Sequence, residues 1–181
     1  MLPIQTSSQP TIIPLPTSAS LPCIASPDSI TNQKNYDCMF FTIRVPSDWM
    51  EEQSSQNAVS FFNPASNLPV TGSPDYEYPR DKGKIRIGVD YEKTSLSILE
   101  YIQQFDTNQR KVGLTVQGKN TPCIGSNYAC VERKYTLYGK NNYEFILQNP
   151  QKTMIVTLSA GLNYIDFMPL IQSIFLSFRF K

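Results

Sequence analysis

Four cysteines and fifteen carboxylates are the side chains with the most chemical scope in this 181-residue chain, which has no histidine. Without imidazole there is no Ser-His or Cys-His nucleophile pair, and the commonest metal ligand is missing. Cys23, Cys38, Cys123 and Cys130 form no CxxC, so a zinc site would need all four thiolates at unhelpful spacing. Falling in two local pairs, they read as disulfides Cys23–Cys38 and Cys123–Cys130, which belong to an oxidising compartment. Four cysteines permit three connectivities, and four reduced thiols are the alternative.

The densest polar and aromatic cluster is Ser73-Pro74-Asp75-Tyr76-Glu77-Tyr78-Pro79-Arg80-Asp81-Lys82. Two tyrosines between prolines make a stiff amphipathic surface, so Asp75, Tyr76, Glu77, Tyr78, Arg80 and Asp81 are candidates for partner contact. Asp75, Glu77 and Asp81 could offer oxygens to calcium, but the D-x-D-x-D-G pattern is missing and Arg80 and Lys82 oppose a cation. Trp49, the single tryptophan, reads as a structural anchor at the core edge. Tyr128, Tyr135, Tyr138 and Tyr143 line strands, where they pack or, alternatively, form an aromatic groove for a glycan or peptide. No GxSxG, P-loop, Ser-x-x-Lys or GxGxxG occurs. Fifteen carboxylates make some close pair inevitable, yet no spacing singles one out. The expectation is a protein with no catalytic residues, no metal site and no cofactor; a carboxylate-dependent hydrolase is a distant third choice.

Lysine and arginine number 16 against 15 acidic residues, a net charge of +1. That balance excludes a nucleic-acid binder relying on phosphate neutralisation. No run of about 18 apolar residues occurs to span a bilayer. The N-terminus has neither a basic start nor a continuous apolar stretch, so it is no signal peptide as it stands. Either the protein is cytosolic or the sequence begins downstream of an anchor. Residues 1–35 contain six of the fourteen prolines, many Ser and Thr, and two charges, Asp28 and Lys34. They read as a disordered, extended spacer ahead of a folded domain at 36–181.

The elements that must position these residues follow from periodicity. Met39 to Val45 alternates, with Phe41, Ile43 and Val45 on one face of a strand that Pro46 ends. Ala58 to Phe62 is a second strand, followed by a broken loop from Ala65 to Gly83. Lys84 to Tyr91 alternates again, with Ile85, Ile87 and Val89 inward. Ser95 to Phe105 switches to helical spacing through Ile98, Tyr101, Ile102 and Phe105. Thr94 or Ser95 can cap this helix, and Ser97 with Glu100 has capping-box spacing. Leu114–Gly118, Ala129–Tyr138, Tyr143–Gln148 and Lys152–Ser159 then form a meander, with turns at Gly139–Asn142 and Gln148–Gln151. Leu162 to Phe175 is a helix that admits Pro169 only near its start, and Leu176 to Phe180 alternates again. The predicted fold class is α+β: an antiparallel sheet of about six or seven strands, one inserted helix and one C-terminal helix.

Val45-Pro46-Ser47-Asp48-Trp49 resembles the "YPxDW" opening of PsbP-like domains, the fold shared with the Ran-binding Mog protein of yeast. Thr94-Ser95-Leu96 opening a helix follows the same plan. So does Ile171 to Phe180, with its closing "SF-basic-F". The resemblance covers Tyr36 to Lys181. It implies the PsbP/Mog fold and a non-catalytic role. Family members attach to the lumenal face of photosystem II, bind a small GTPase, or are secreted or membrane-tethered behind a Pro/Thr/Ser-rich spacer. This chain is most similar to the last group; the metal-binding histidines of some photosystem members have no counterpart. The expectation is a non-catalytic, extracytoplasmic, secreted or tethered domain that binds a protein or small ligand. An intracellular adaptor binding a small GTPase is the alternative.

Overall fold

The computed structural model describes residues 23–28, 32–64, 85–161 and 167–181. Their order begins with strands β1 (Ile24–Asp28), β2 (Gln33–Asp37), β3 (Phe41–Pro46), β4 (Met50–Ser55), β5 (Ala58–Phe62) and β6 (Arg86–Lys93). Helix α1 (Ile98–Gln109) comes next, then β7 (Thr115–Pro122), β8 (Ala129–Leu137), β9 (Lys140–Gln148) and β10 (Met154–Ala160). Helix α2 (Met168–Ser177) and the short β11 (Arg179–Phe180) close the chain. The α+β class is as expected. The strands form two antiparallel sheets rather than one, in orders β1-β2-β3-β11 and β4-β5-β6-β10-β9-β8-β7.

Period-two alternation explains how the sheets share a core. Phe41, Ile43 and Val45 of β3 are buried against Val59, Phe61, Ile87, Val89, Tyr143, Phe145, Leu147, Val156 and Leu158 of the larger sheet. Ile171, Ile174 and Phe175 of α2 complete the cluster, with Phe175 stacked on Tyr143 at 5.8 Å between ring centroids. Trp49 is buried in the same cluster. A turn delivers it there, closed by its own N–H donating to the Pro46 carbonyl at 3.1 Å.

The expected boundary at Tyr36 falls inside β2, so β1 and residues 33–35 of β2 lie within the stretch read as spacer. They are ordered because β2 pairs with β3 in register Tyr36↔Ile43, β1 pairs with β2, and Cys23 is bonded to Cys38. Tyr36 is buried against Phe61 at 4.7 Å. The folded unit therefore starts by Cys23; residues 1–22 lie outside the described residues.

The capping box of α1 is present. The Ser97 hydroxyl accepts from the Glu100 N–H at 3.3 Å, and the Ser97 N–H donates to the Glu100 carboxylate at 2.8 Å. The helix runs to Gln109, and Gly113 at φ +93° turns the chain toward β7. Helix α2 has Phe167 as its N-cap residue, which puts Pro169 in the first turn, where its missing N–H costs no hydrogen bond.

Candidate functional site

One face of the seven-stranded sheet is the apolar core; the other meets α1 and is mixed. Pairing of Val131 with Ile146 and of Arg133 with Glu144 puts all four side chains on the α1 side. Ile98 and Ile102 of α1 pack there on Ile146 and Ile155. Beside this small apolar patch lies a buried charge cluster. Arg133 is 1% exposed and Glu144 5%.

The Arg133 guanidinium donates through Nη2 to Asp106 Oδ1 of α1 at 2.9 Å. Its Nε lies 3.4 Å from Glu144 Oε2, an ion-pair distance without hydrogen-bond alignment. Nε and Nη1 have no hydrogen-bond partner. The guanidinium sits over the rings of Tyr135 and Phe105, 4.8 and 5.3 Å from their centroids. Such cation–π contacts offset part of the several kcal/mol or so that desolvating an arginine costs. The Tyr135 hydroxyl donates to Glu144 Oε1 at 2.6 Å.

Burial is the largest influence on Glu144 and pushes its carboxyl up to about 7. Arg133 and the Tyr135 hydrogen bond pull the other way, while the charges of Asp90 and Asp106 add to the rise. Asp90, at the rim, is raised by desolvation. The Tyr101 phenol is raised chiefly by burial, against a hydrogen bond with Thr157.

Next to this cluster the β7–β8 ladder breaks. Its register jumps from Gln117↔Lys134 to Thr121↔Glu132, so Gly118, Lys119 and Asn120 stand opposite the single residue Arg133. Gly118 takes φ +79°, a conformation that suits glycine. Between this bulge and α1 lies an open cleft of about 560 Å³, lined by Leu99, Ile102, Gln103, Asp106, Thr107, Arg110 and Asn120. Asp106 belongs to both features: it lines the cleft and holds Arg133. Its lining combines amide, hydroxyl, carboxylate and guanidinium groups with the apolar side chains of Leu99 and Ile102.

The residues singled out from sequence are dispersed. The cysteines form the bridges Cys23–Cys38 and Cys123–Cys130. Asp75, Tyr76, Glu77, Tyr78, Arg80 and Asp81 lie outside the described residues. The four tyrosines make no single groove. Tyr143 is in the core, Tyr135 is buried on the opposite sheet face, and Tyr138 is 67% exposed at a hairpin tip. Tyr128 packs edge-on against Phe180, its hydroxyl accepting from the Phe180 N–H. Arg133, Glu144 and Asp106 had not been singled out. The signals were a lone cation at 133 on the alternating stripe Val131, Tyr135, Leu137, and a lone carboxylate inside the apolar run Tyr143–Leu147. Among the described residues, no three His, Cys, Asp or Glu side chains converge to hold a metal ion.

No family model matches the chain, and no curated protein matches it. Solved structures do. The solution structure of cyanobacterial PsbP (CyanoP) from Synechocystis is 10% identical, with 94% of this chain and 99% of that one covered, at a TM-score of 0.48. LpqN of Mycobacterium tuberculosis, described as involved in cell envelope biogenesis, is 14% identical over 78% of this chain and 83% of its own, at 0.48. A Bacteroides thetaiotaomicron protein is 10% identical at 0.45, and this chain spans 45% of its length. No residue's role is carried across from any of them.

Proposed function

We propose that this chain is an extracytoplasmic domain that binds a protein or small ligand and performs no chemistry of its own. The pairing of all four cysteines carries the assignment, because such bridges persist in oxidising compartments and are reduced in the cytosol. An intracellular GTPase adaptor would need four reduced thiols, so the same observation counts against it. The Pro-, Ser- and Thr-rich composition upstream of Cys23 suits a spacer that holds the domain at a distance from its attachment. Among the described residues no helix is long and apolar enough to cross a membrane.

For binding, the open cleft between α1 and the β7 bulge offers the mixed lining that small ligands use. Against hydrolysis by a carboxylate pair that includes Glu144 stands the burial of Glu144. A catalytic group must touch its substrate, and Glu144 is closed to solvent.

Lysis of cells expressing the native gene directly into an alkylating reagent tests the compartment. Intact mass without reduction is expected to show no cysteine alkylated; alkylation at all four would move the cytoplasmic adaptor into first place. For the cleft, amide chemical shifts are followed while small sugars, amino acids and dicarboxylates are added. Shifts confined to Leu99, Gln103, Thr107 and Asn120 are expected for a ligand, whereas shifts clustered elsewhere would remove the cleft from the proposal.

A further inference from the structure

We propose that α1 is held on the seven-stranded sheet through a proton shared into the Arg133–Asp106–Glu144 cluster, so that the helix and the cleft it walls loosen when that proton leaves. Charge counting leads to this. One buried guanidinium faces two carboxylates, Asp106 from α1 and Glu144 from β9. Fully ionised, the cluster carries a net negative charge in a poorly solvated space; one proton makes it neutral. Arg133 cannot make up the difference, since only its Nη2 forms an aligned hydrogen bond.

The groups facing Glu144 are divided: Arg133 and the Tyr135 hydroxyl favour its carboxylate form, while burial and the charges of Asp90 and Asp106 oppose it. Strand β8 supplies Arg133 and Tyr135, α1 supplies Asp106 and Tyr101, and β6 supplies Asp90. Glu92 of β6 acts on Tyr101, and β10 contributes the neutral Thr157. Set against one cation are thus the carboxylates of Asp90 and Asp106, besides burial itself. The carboxyl itself sits at about 7, raised by burial.

The other ties of the helix lie mostly in its first half, where Tyr101 packs against the apolar patch and hydrogen-bonds with Thr157. Its N-terminal half rests on Ile146 and Ile155 through Ile98 and Ile102, with the Gln148 amide donating to the Leu96 carbonyl at 2.8 Å just ahead of it. The following turn depends on Phe105 against Tyr135, at 6.0 Å between centroids, and on Asp106 against Arg133. Loss of the Glu144 proton places a second negative charge beside Asp106, competing for the same guanidinium. The contact that yields is the one on the movable helix.

The absence of histidine makes the experiment clean, because no side chain with an ordinary pKa near 7 is present to confuse it. Amide hydrogen exchange, corrected for intrinsic rate, is measured between pH 5.5 and pH 8.5 on the full chain. Protection of Phe105 to Gln109 is expected to fall at least tenfold with a midpoint near pH 7, while β9 and β10 fall less. Glu144→Gln, which keeps the shape without the charge, is expected to hold α1 protection level across the range. Uniform loss across all elements, or an unchanged midpoint in E144Q, would overturn the proposal. Should E144Q fail to fold, carboxyl carbon shifts of the unaltered protein decide: one glutamate is expected to titrate near 7, and none titrating above pH 6 would be equally fatal. Asp106→Asn is a second control, expected to move that midpoint downward by leaving Arg133 to Glu144 alone.

Discussion

At the scale of single residues, Arg133 is the side chain whose loss should be felt most. Replacing one partner of a buried ion pair leaves the other charge uncompensated, at a cost of about 3–5 kcal/mol. Arg133→Leu would strand two carboxylates rather than one. The penalty should be larger at pH 8 than at pH 5, where Glu144 carries its proton; urea unfolding at the two pH values checks this. The unaltered protein has its own slope. The folded carboxyl of Glu144 lies at about 7 against 4.5 for a free one, so the folded state holds that proton more tightly. Its contribution is fully present below about pH 4.5, declines as pH rises toward 7, and is gone above it. In Arg133→Leu the decline should continue past pH 7, because the cation that restrained the rise has been removed.

At the scale of elements, helix α1 and the β8–β9 hairpin invite opposite substitutions. Ser97→Ala removes a capping-box hydroxyl and should cost about 1 kcal/mol. The hairpin turns through Tyr138 and Gly139, at φ +52° and +71°, the two-residue geometry that favours Asn-Gly. Tyr138→Asn should therefore stabilise by a few tenths of a kcal/mol to about 1 kcal/mol, read as a rise in thermal midpoint. The same elements mark what the sequence makes legible. The Ser97–Glu100 spacing, the alternation of β3 and β6 and the helical period around Ile98 and Ile102 are local signals, and the structure reproduces them. Strands β1, β2 and β4 carry no comparable signal, since Gln33–Asp37 and Met50–Ser55 are largely polar and become strands by pairing with β3 and β5. The cleft was illegible for a related reason. It depends on three residues of β7 facing one of β8, a mismatch that neither segment displays alone. Arg133 and Glu144 were visible as charges on apolar stripes, but only their pairing across β8 and β9 shows that they meet.

For the molecule as a whole, the bridges restrict the unfolded chain. Closing loops with sequence separations of 15 and 7 residues contributes roughly 3 and 2 kcal/mol respectively by chain entropy. Replacing Cys23 and Cys38 together by serine should accordingly lower the unfolding free energy more than replacing Cys123 and Cys130, as denaturant titration would show. The small sheet also joins the two ends of the folded chain. It orders β1, β2, β3 and β11 side by side, and Lys181 donates its N–H to the Phe40 carbonyl and pairs with Asp37. Tension applied through residues upstream of Cys23 would therefore not peel β1 and β2 away one hydrogen bond at a time. It would pass across the Cys23–Cys38 bond straight to the start of β3, the strand to which the chain's last residues are bonded. Under load the hairpin becomes a slack loop, shielded while the bridge is intact. Reducing that bridge should release about 50 Å of extra chain length in a pulling experiment, and with it the first strands to yield.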